Sequence, residues 1–408
     1  MLTLTGMAFD VEQVRAQYPA LADGRAWLDA AAGTQVPQPV IEAMSEVLRG
    51  GASNLGQPYG SSRRSGEVVA QARTAVADLT GAPGPECVVF GPSMTALTYR
   101  FAAVLADGWT PGDEVVVTRL DHDANVRPWV QHAWRAGALV RFADFDPETG
   151  QLPVERVTEL IGERTRLVAV TAASNLLGTA PDVAAIAARA REVGALTFVD
   201  GVQHTPHADV RVAELGADFY ATSAYKWSGP HVGAVVAADA WQLENLHPDK
   251  LAPAPDESPS RFELGTLPFE ALAGVTAAVD HLAGLDAEAS GDRRERLAAS
   301  RKAVLAHEEE LIGRLCDGLA QLPHVRRLGP PQLPSTPLAL FSVDGRTPAE
   351  VTAHLAERGV NVSQGNSYAW EALAPLGLGA EGAVRASLCH YTAEQDVRAL
   401  LDALAELA

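Results

Sequence analysis

Lysine is almost missing from this sequence. Only three occur in 408 residues, Lys226, Lys250 and Lys302, and acidic side chains outnumber basic ones to give a formal charge of −19. A chain this acidic is not expected to hold a nucleic-acid backbone, and it shows no basic stripe for a membrane surface. Cysteine is scarce too. Cys87, Cys316 and Cys389 are far apart and odd in number, which argues against a disulfide framework and a zinc-ligand spacing. No apolar run approaches the length that crosses a bilayer. Residues 1–10 carry neither the basic region nor the long apolar segment of a secretory signal. A cytoplasmic protein is the expectation. Internal repeats and low-complexity tracts are not found.

What is present is an ordinary globular composition, 47% hydrophobic and 20% charged. The length is too great for one small core, so a large domain with a smaller companion is expected. Residues 10–18 and 37–48 have helical spacing, with a short strand at 27–29 between them. Helices at 68–79, 94–105, 125–136, 154–161 and 183–193 then alternate with strands at 87–90, 114–118, 139–142, 167–171 and 196–199. Apolar runs at 217–220 and 232–237 add two strands. Such alternation, with β-rich runs like Val115-Val-Val117, predicts an α/β fold whose mainly parallel central sheet is covered by helices. Ligands of such sheets bind at the carboxyl ends of the strands. Residues 247–261 form a long loop, a helix follows at 269–285, and the cluster at 289–294 opens a long helix through 319. A boundary there divides a large domain at 27–288 from a smaller α+β domain at 289–408, with 1–26 an N-terminal segment packing on the latter.

Chemistry-bearing residues gather at the predicted strand ends. Lys226 lies on a tight loop between buried strands, where burial lowers an amine's pKa and frees it as a nucleophile. A plain surface lysine is the alternative. Ser93, Met94 and Thr95 open a helix after a strand, where backbone amides and hydroxyls bind a phosphate; an ordinary N-cap is the alternative. His122 could stack on an aromatic ring with Asp121 holding it in place, and a metal on Asp121, His122 and Asp123 is the rival. Asn175 and Gln203 place amides near strand ends. Asp200 ends a buried strand, a costly place for a carboxylate unless a cation or donors meet it. The polar loop 54–65, with Arg63 and Arg64, is a candidate edge of a substrate site.

In order along the chain, Leu28-Asp29-Ala-Ala-Ala-Gly33, Asp121-His122-Asp-Ala-Asn125, Ser174-Asn175, Asp200-Gly-Val-Gln203, Ser223-Ala-Tyr-Lys226, Arg261-Phe-Glu-Leu-Gly-Thr266 and Arg385-Ala-Ser387 resemble one family. It is the class V aminotransferase group of fold-type I pyridoxal-phosphate enzymes, and within it the cysteine desulfurase-like proteins. The resemblance runs from about residue 27 to the C-terminus. It implies that Lys226 binds the cofactor covalently, that His122 stacks on its ring, and that Asp200 pairs with the ring nitrogen. Gln203 and Asn175 would lie near the ring oxygen. Phosphate would be held by the helix start at Ser93, Met94 and Thr95, by Ser223, and by Tyr225, where desulfurases commonly have histidine. Thr266 would reach the phosphate of a neighbouring subunit, which implies a homodimer with shared active sites. Arg385 would bind a substrate carboxylate, beside Ala31 and Tyr368.

One departure stands out. Desulfurases of this group carry a nucleophilic cysteine on a loop that matches residues 359–370, and Tyr368 stands at or near that place. Tyrosine cannot form a persulfide. Cys87 and Cys316 read as buried structural thiols, whereas Cys389, four residues after Arg385, is expected to share the arginine's face. Tyr368, Trp370 and Trp227 could wall a site for a substrate larger than cysteine, and core packing or dimer contacts are the alternative. The expected function is carbon–sulfur cleavage by β-elimination on a cysteine-derived amino acid, without an enzyme persulfide. Transamination, epimerisation and a non-catalytic binding role stay open.

Overall fold

The computed structural model describes residues 9–408. The first eight residues of the expected N-terminal segment lie outside the described residues. Two strands of the sequence are short additions, β1 (Ala26–Trp27) and its parallel partner at Val360–Asn361. The main sheet has seven strands: β2 (Val88–Gly91), β3 (Glu114–Thr118), β4 (Leu139–Ala143), β5 (Thr165–Thr171), β6 (Leu196–Asp200), β7 (Phe219–Ser223) and β8 (Gly233–Ala237). Their order is β2-β8-β7-β6-β5-β3-β4, with only β8 antiparallel to its neighbours.

The buried strands show why the run of β-branched residues folds this way. Val115 and Val117 face one core with Phe101 and Trp129, while Val116 between them faces the other with Val168 and Val199. Apolar side chains on both faces require helices on both faces. Met94–Ala106 and Arg127–Ala136 cover one, and Gln38–Gly50, Gly60–Thr80 and Phe269–Ala283 pack together on the other.

A second sheet of four antiparallel strands lies in the C-terminal third: β9 (Val325–Leu328), β10 (Leu338–Val343), β12 (Ser363–Gly365) and β13 (Ala383–Ser387), with β11 the Val360–Asn361 strand. The long helix Arg293–Ala320 precedes it, opened by a reciprocal capping box between Asp292 and Glu295.

Several boundaries depart from the expected ones. The loop at 54–65 ends early, because Gly60 already starts the helix that runs to Thr80. Arg63 donates to the Pro58 carbonyl and Arg64 to those of Gly50 and Gly51, and neither lines this chain's cavity at the strand ends. Cys87 belongs to a 3-10 turn, Pro85–Cys87, just before its strand. The helix expected from 125 begins at Arg127, since Asp123–Asn125 close a separate turn and Pro128 fits the first helical turn.

Register aligns the chemistry. Thr171 pairs with Asp200 and Asp200 with Ala221, so β5, β6 and β7 end side by side. Gly233 of β8 lets a helix start sit on that edge. A Cβ there would come within 2.3 Å of the Ser93 carbonyl carbon and 2.4 Å of the Met94 nitrogen.

Candidate active site

At these strand ends lies a cavity of about 900 Å³. Ala31, Met94, Thr95, His122, Asn175, Asp200, Gln203, Ser223, Tyr225, Lys226, Tyr368 and Arg385 all line it. Residues from the seven-stranded sheet and from the C-terminal sheet thus meet around one space. Ser93 and Thr266 do not line it. The Ser93 hydroxyl accepts the Ala96 N–H at 3.1 Å as an N-cap, so the ordinary reading of that serine holds and only the helix start reaches the cavity. Thr266 is exposed and lies elsewhere on the surface.

Lys226 ends a 3-10 turn, Ala224–Lys226, directly after β7. Its amine donates to the Ala31 carbonyl, and the residue is 9% exposed. Burial lowers the amine's pKa to about 7, helped by the charge of Arg385 and opposed by Asp200 and Asp29. A nucleophilic free base is therefore present near neutral pH.

Asp200 accepts the Val202 N–H at 2.9 Å. Burial raises its carboxyl to about 6, with the Val202 bond and Lys226 pulling the other way. His122 accepts the Ala124 N–H at Nδ1, 3.0 Å away, which leaves the proton of a neutral ring on Nε2. Burial, then the charges of Lys226 and Arg385, push this imidazole down to about 4. It is a neutral plate at working pH.

Asp121 does not hold that ring. Its carboxylate accepts from Thr118 Oγ1 and, at 2.7 Å, from Asn125 Nδ2, so both its oxygens are taken by neighbours other than the imidazole. Burial lifts it to about 8. Asp123 pairs with Arg127 at 2.8 Å instead. The three side chains diverge, so the metal reading of 121–123 fails.

Arg385 on β13 is 4% exposed. Its Nη1 donates to the Asn175 carbonyl at 2.6 Å and its Nε to Ser363 Oγ at 3.1 Å. Burial draws the guanidinium down to about 10, with Asp29 opposing. Asn175 Nδ2 donates to the Ser367 carbonyl at 2.7 Å, while its Oδ1 is buried with no partner. Tyr225 stacks on His231, ring centroids 4.9 Å apart and 6° from parallel.

Two further expectations fail. Cys389 lies beyond the end of β13, buried beside Thr392 and outside the cavity lining, with its thiol pushed up to about 12 by burial. It is an inert core thiol, and the strand ends too soon for it to share the Arg385 face. The aromatic wall reduces to one member of the expected three. Trp227 is 1% exposed in the core with its indole N–H on Thr222 Oγ1, and Trp370 lines a separate groove.

The sequence reading missed Tyr99, Ser363 and the backbone of Ser367, all of which line the cavity. Tyr99 stands one helical turn after Thr95 and was open to the i, i+4 rule. Ser363 was not, since its register against Arg385 is set by antiparallel pairing of distant segments.

The donor set matches pyridoxal phosphate group by group. Asp200 accepts from a backbone N–H but, among the described residues, from no charged side chain, a place a protonated ring nitrogen fills. Asn175 Oδ1 lacks a donor that a ring hydroxyl supplies, and the helix start at Met94 offers free amides to a phosphate. Lys226 offers its amine to the aldehyde.

Known proteins agree. The family model described as aminotransferase class-V matches residues 26–400. An uncharacterized protein of Mycobacterium tuberculosis is 38% identical over 404 residues, covering 98% of this chain and 100% of its own. A Pseudomonas putida protein named "Probable cysteine desulfurase" is 35% identical over 413 residues, covering 96% of each chain. The crystal structure of the Escherichia coli cysteine desulfurase CsdA superposes with a TM-score of 0.85 at 29% identity, covering 98% of this chain and 99% of that one. The chain therefore belongs to the class V aminotransferase family and is a pyridoxal-phosphate-dependent enzyme of the cysteine desulfurase-like kind.

Proposed function

We propose that this enzyme cleaves the carbon–sulfur bond of a cysteine-derived amino acid by β-elimination, without a persulfide on the protein. One observation carries the reading. Tyr368 lines the cavity, while Cys87, Cys316 and Cys389 are all buried away from it.

Bound at this site, pyridoxal phosphate supplies the electron sink that makes the α-proton of an amino acid removable. Lys226 would hold it, with Asp200 on the ring nitrogen, His122 against the ring, Asn175 and Gln203 by the ring oxygen, and Met94, Thr95, Ser223 and Tyr225 at the phosphate. Thr266 would serve the site of a second subunit in a homodimer.

The chain's own groups define the rest. Arg385 anchors the substrate carboxylate through a guanidinium already fixed by Asn175 and Ser363. The substrate amino group would displace Lys226 from the cofactor, and the freed amine, whose pKa burial lowers to about 7 in the cofactor-free site, would take the α-proton. A thiol or other sulfur leaving group on the β-carbon then departs into a cavity bounded by Tyr368, with no attack by enzyme sulfur.

The test is product analysis with L-cysteine, cystine and cysteine S-conjugates. Pyruvate and ammonia with sulfide from L-cysteine, thiocysteine from cystine or thiol from an S-conjugate supports elimination. Alanine with protein-bound sulfur would mean a persulfide route. A keto acid formed only with an amino acceptor, with no sulfur released, would mean transamination.

A further inference from the structure

Tyr18 sits behind the cavity with one hydroxyl shared among three partners. Its oxygen lies 2.9 Å from Ser228 Oγ, 2.7 Å from His281 Nε2 and 2.6 Å from His390 Nε2, and the residue is 2% exposed. A phenol has one proton and two lone pairs, so three partners saturate it. One must accept and two must donate. Burial lowers His281 to about 4 and holds His390 well below its ordinary value, so each ring is neutral with a single N–H, and its tautomer sets whether its Nε2 donates to Tyr18 or accepts from it.

The partners come from three distant parts of the chain. Ser228 lies two residues past Lys226, His390 five residues past Arg385, and His281 belongs to the helix Phe269–Ala283. Ser228 has φ 68, in the left-handed region that a serine keeps only when its surroundings hold it there. Its N–H donates to Thr34 Oγ1 at 2.7 Å, and Thr34 donates to the Tyr225 carbonyl through both N (2.9 Å) and Oγ1 (3.0 Å). The turn is thus pinned on both sides of the lysine.

A second strut runs in parallel. The Lys226 amine reaches the Ala31 carbonyl, and the Ala31 N–H donates at 2.8 Å to Ser387 Oγ on the strand of Arg385. Lysine and arginine are linked at two points.

We infer that Tyr18 is a positioning residue for Lys226, its hydroxyl fixing the lysine turn, through Ser228 and His390, to the segment that carries Arg385. The inference rests on the reading of Lys226 and Arg385 as the cofactor- and substrate-binding pair. A buried hydroxyl that satisfies three groups in a closed network has no cheap substitute, so its loss is felt at the turn.

The experiment uses the full chain and Tyr18→Phe, which removes only the hydroxyl. In cofactor-free protein, acetylation of Lys226 is followed by mass spectrometry across pH, with Lys250 and Lys302 as references in the same molecule. The wild-type midpoint is expected near 7, set by burial and by the facing Arg385, Asp200 and Asp29, with His122 and Tyr225 also beside the amine. Tyr18→Phe is expected to raise that midpoint by about one pH unit as the amine leaves its buried setting. In loaded enzyme, kcat is expected to fall about tenfold.

Ser228→Ala, which leaves Tyr18 bonded to both histidines but cuts the lysine turn from Tyr18 and from His390 (Oγ to Nε2, 3.3 Å), is expected to shift the midpoint the same way by at least as much. Thr80→Val removes a buried hydroxyl bonded to the Val76 carbonyl and controls for general destabilisation. A Tyr18→Phe protein that melts lower, as Thr80→Val does, yet keeps the wild-type midpoint overturns the inference. Should Tyr18→Phe not fold, an unchanged midpoint in Ser228→Ala overturns it. Wild-type protein that shows no visible absorption with pyridoxal phosphate would sink the cofactor reading instead, and the acetylation result would still stand on its own.

Discussion

The main-chain N–H of Asp123 donates to the carbonyl of Tyr368 at 2.7 Å. This bond ties Tyr368 to the turn after His122, whose ring centroid lies 5.4 Å from the tyrosine's. Ser367 and Tyr368 both have positive φ, 50 and 54, and Asn175 holds the Ser367 carbonyl. Glu371 then clamps the loop by accepting from Arg119 at 2.8 Å and Arg127 at 2.7 Å. Glu371→Ala is expected to loosen the loop and raise KM for a cysteine S-conjugate about three- to tenfold, with the cofactor's visible absorption unchanged. Steady-state kinetics and an absorption spectrum check it. An unaltered KM would show that the loop's position does not matter to substrate.

The Lys226 amine gives a pH prediction. Its folded value is about 7, against an ordinary 10.5. The unfolded chain keeps this proton at pH values where the folded chain has lost it, so cofactor-free protein gains stability as pH rises between the two. Uptake of pyridoxal phosphate should accelerate as pH passes through about 7, followed by visible absorption in a stopped-flow instrument. Lys226→Ala should show no such band and lose activity by about a thousandfold or more.

Asp200 has the opposite linkage in cofactor-free protein. Burial raises its carboxyl from 3.8 to about 6, so the folded state binds a proton that the unfolded chain has released. That contribution is complete below about pH 4 and is lost as pH rises through 6. Asp200→Asn should therefore stabilise cofactor-free protein at pH 7 by about 2 kcal/mol and leave it unchanged at pH 4. The loaded variant should lose activity about a hundredfold, because the amide cannot keep a ring nitrogen protonated. Thermal melts at the two pH values and a rate assay decide it.

Arg385→Lys should raise KM for substrate by about ten- to a hundredfold with little change in cofactor absorption. A lysine ammonium cannot reproduce bonds to Asn175 and Ser363 while also offering a fork to a carboxylate. Kinetics over a substrate series checks this, and an unchanged KM would remove Arg385 from the substrate site.

Much of the fold was legible because strand and helix periods alternate cleanly from residue 68 to 237. Val115, Val116 and Val117 divide between two cores as an alternating strand must. The strand-end residues were legible for the same reason: Lys226, Asp200 and His122 each follow a buried run. What failed depended on distances that sequence does not carry. Cys389 was assigned to the Arg385 face by counting along a strand that ends at Ser387. Trp227 stands next to Lys226 in sequence, yet it turns into the core while the lysine turns to the cavity. Adjacency places Asp121 with His122, whereas Thr118 and Asn125 take its carboxylate. The Tyr18 hub joins residues hundreds of positions apart and left no local trace.

The central claim is that this site cleaves carbon–sulfur bonds without enzyme sulfur. The direct measurement is the turnover of a cysteine S-conjugate by a variant carrying Cys87→Ala, Cys316→Ala and Cys389→Ala together, compared with wild type. Thiol and pyruvate released in equal amounts, at a rate within about twofold of wild type once stability is matched, is the predicted result. Loss of turnover in the folded variant, or alanine with protein-bound sulfur in the wild type, would contradict it.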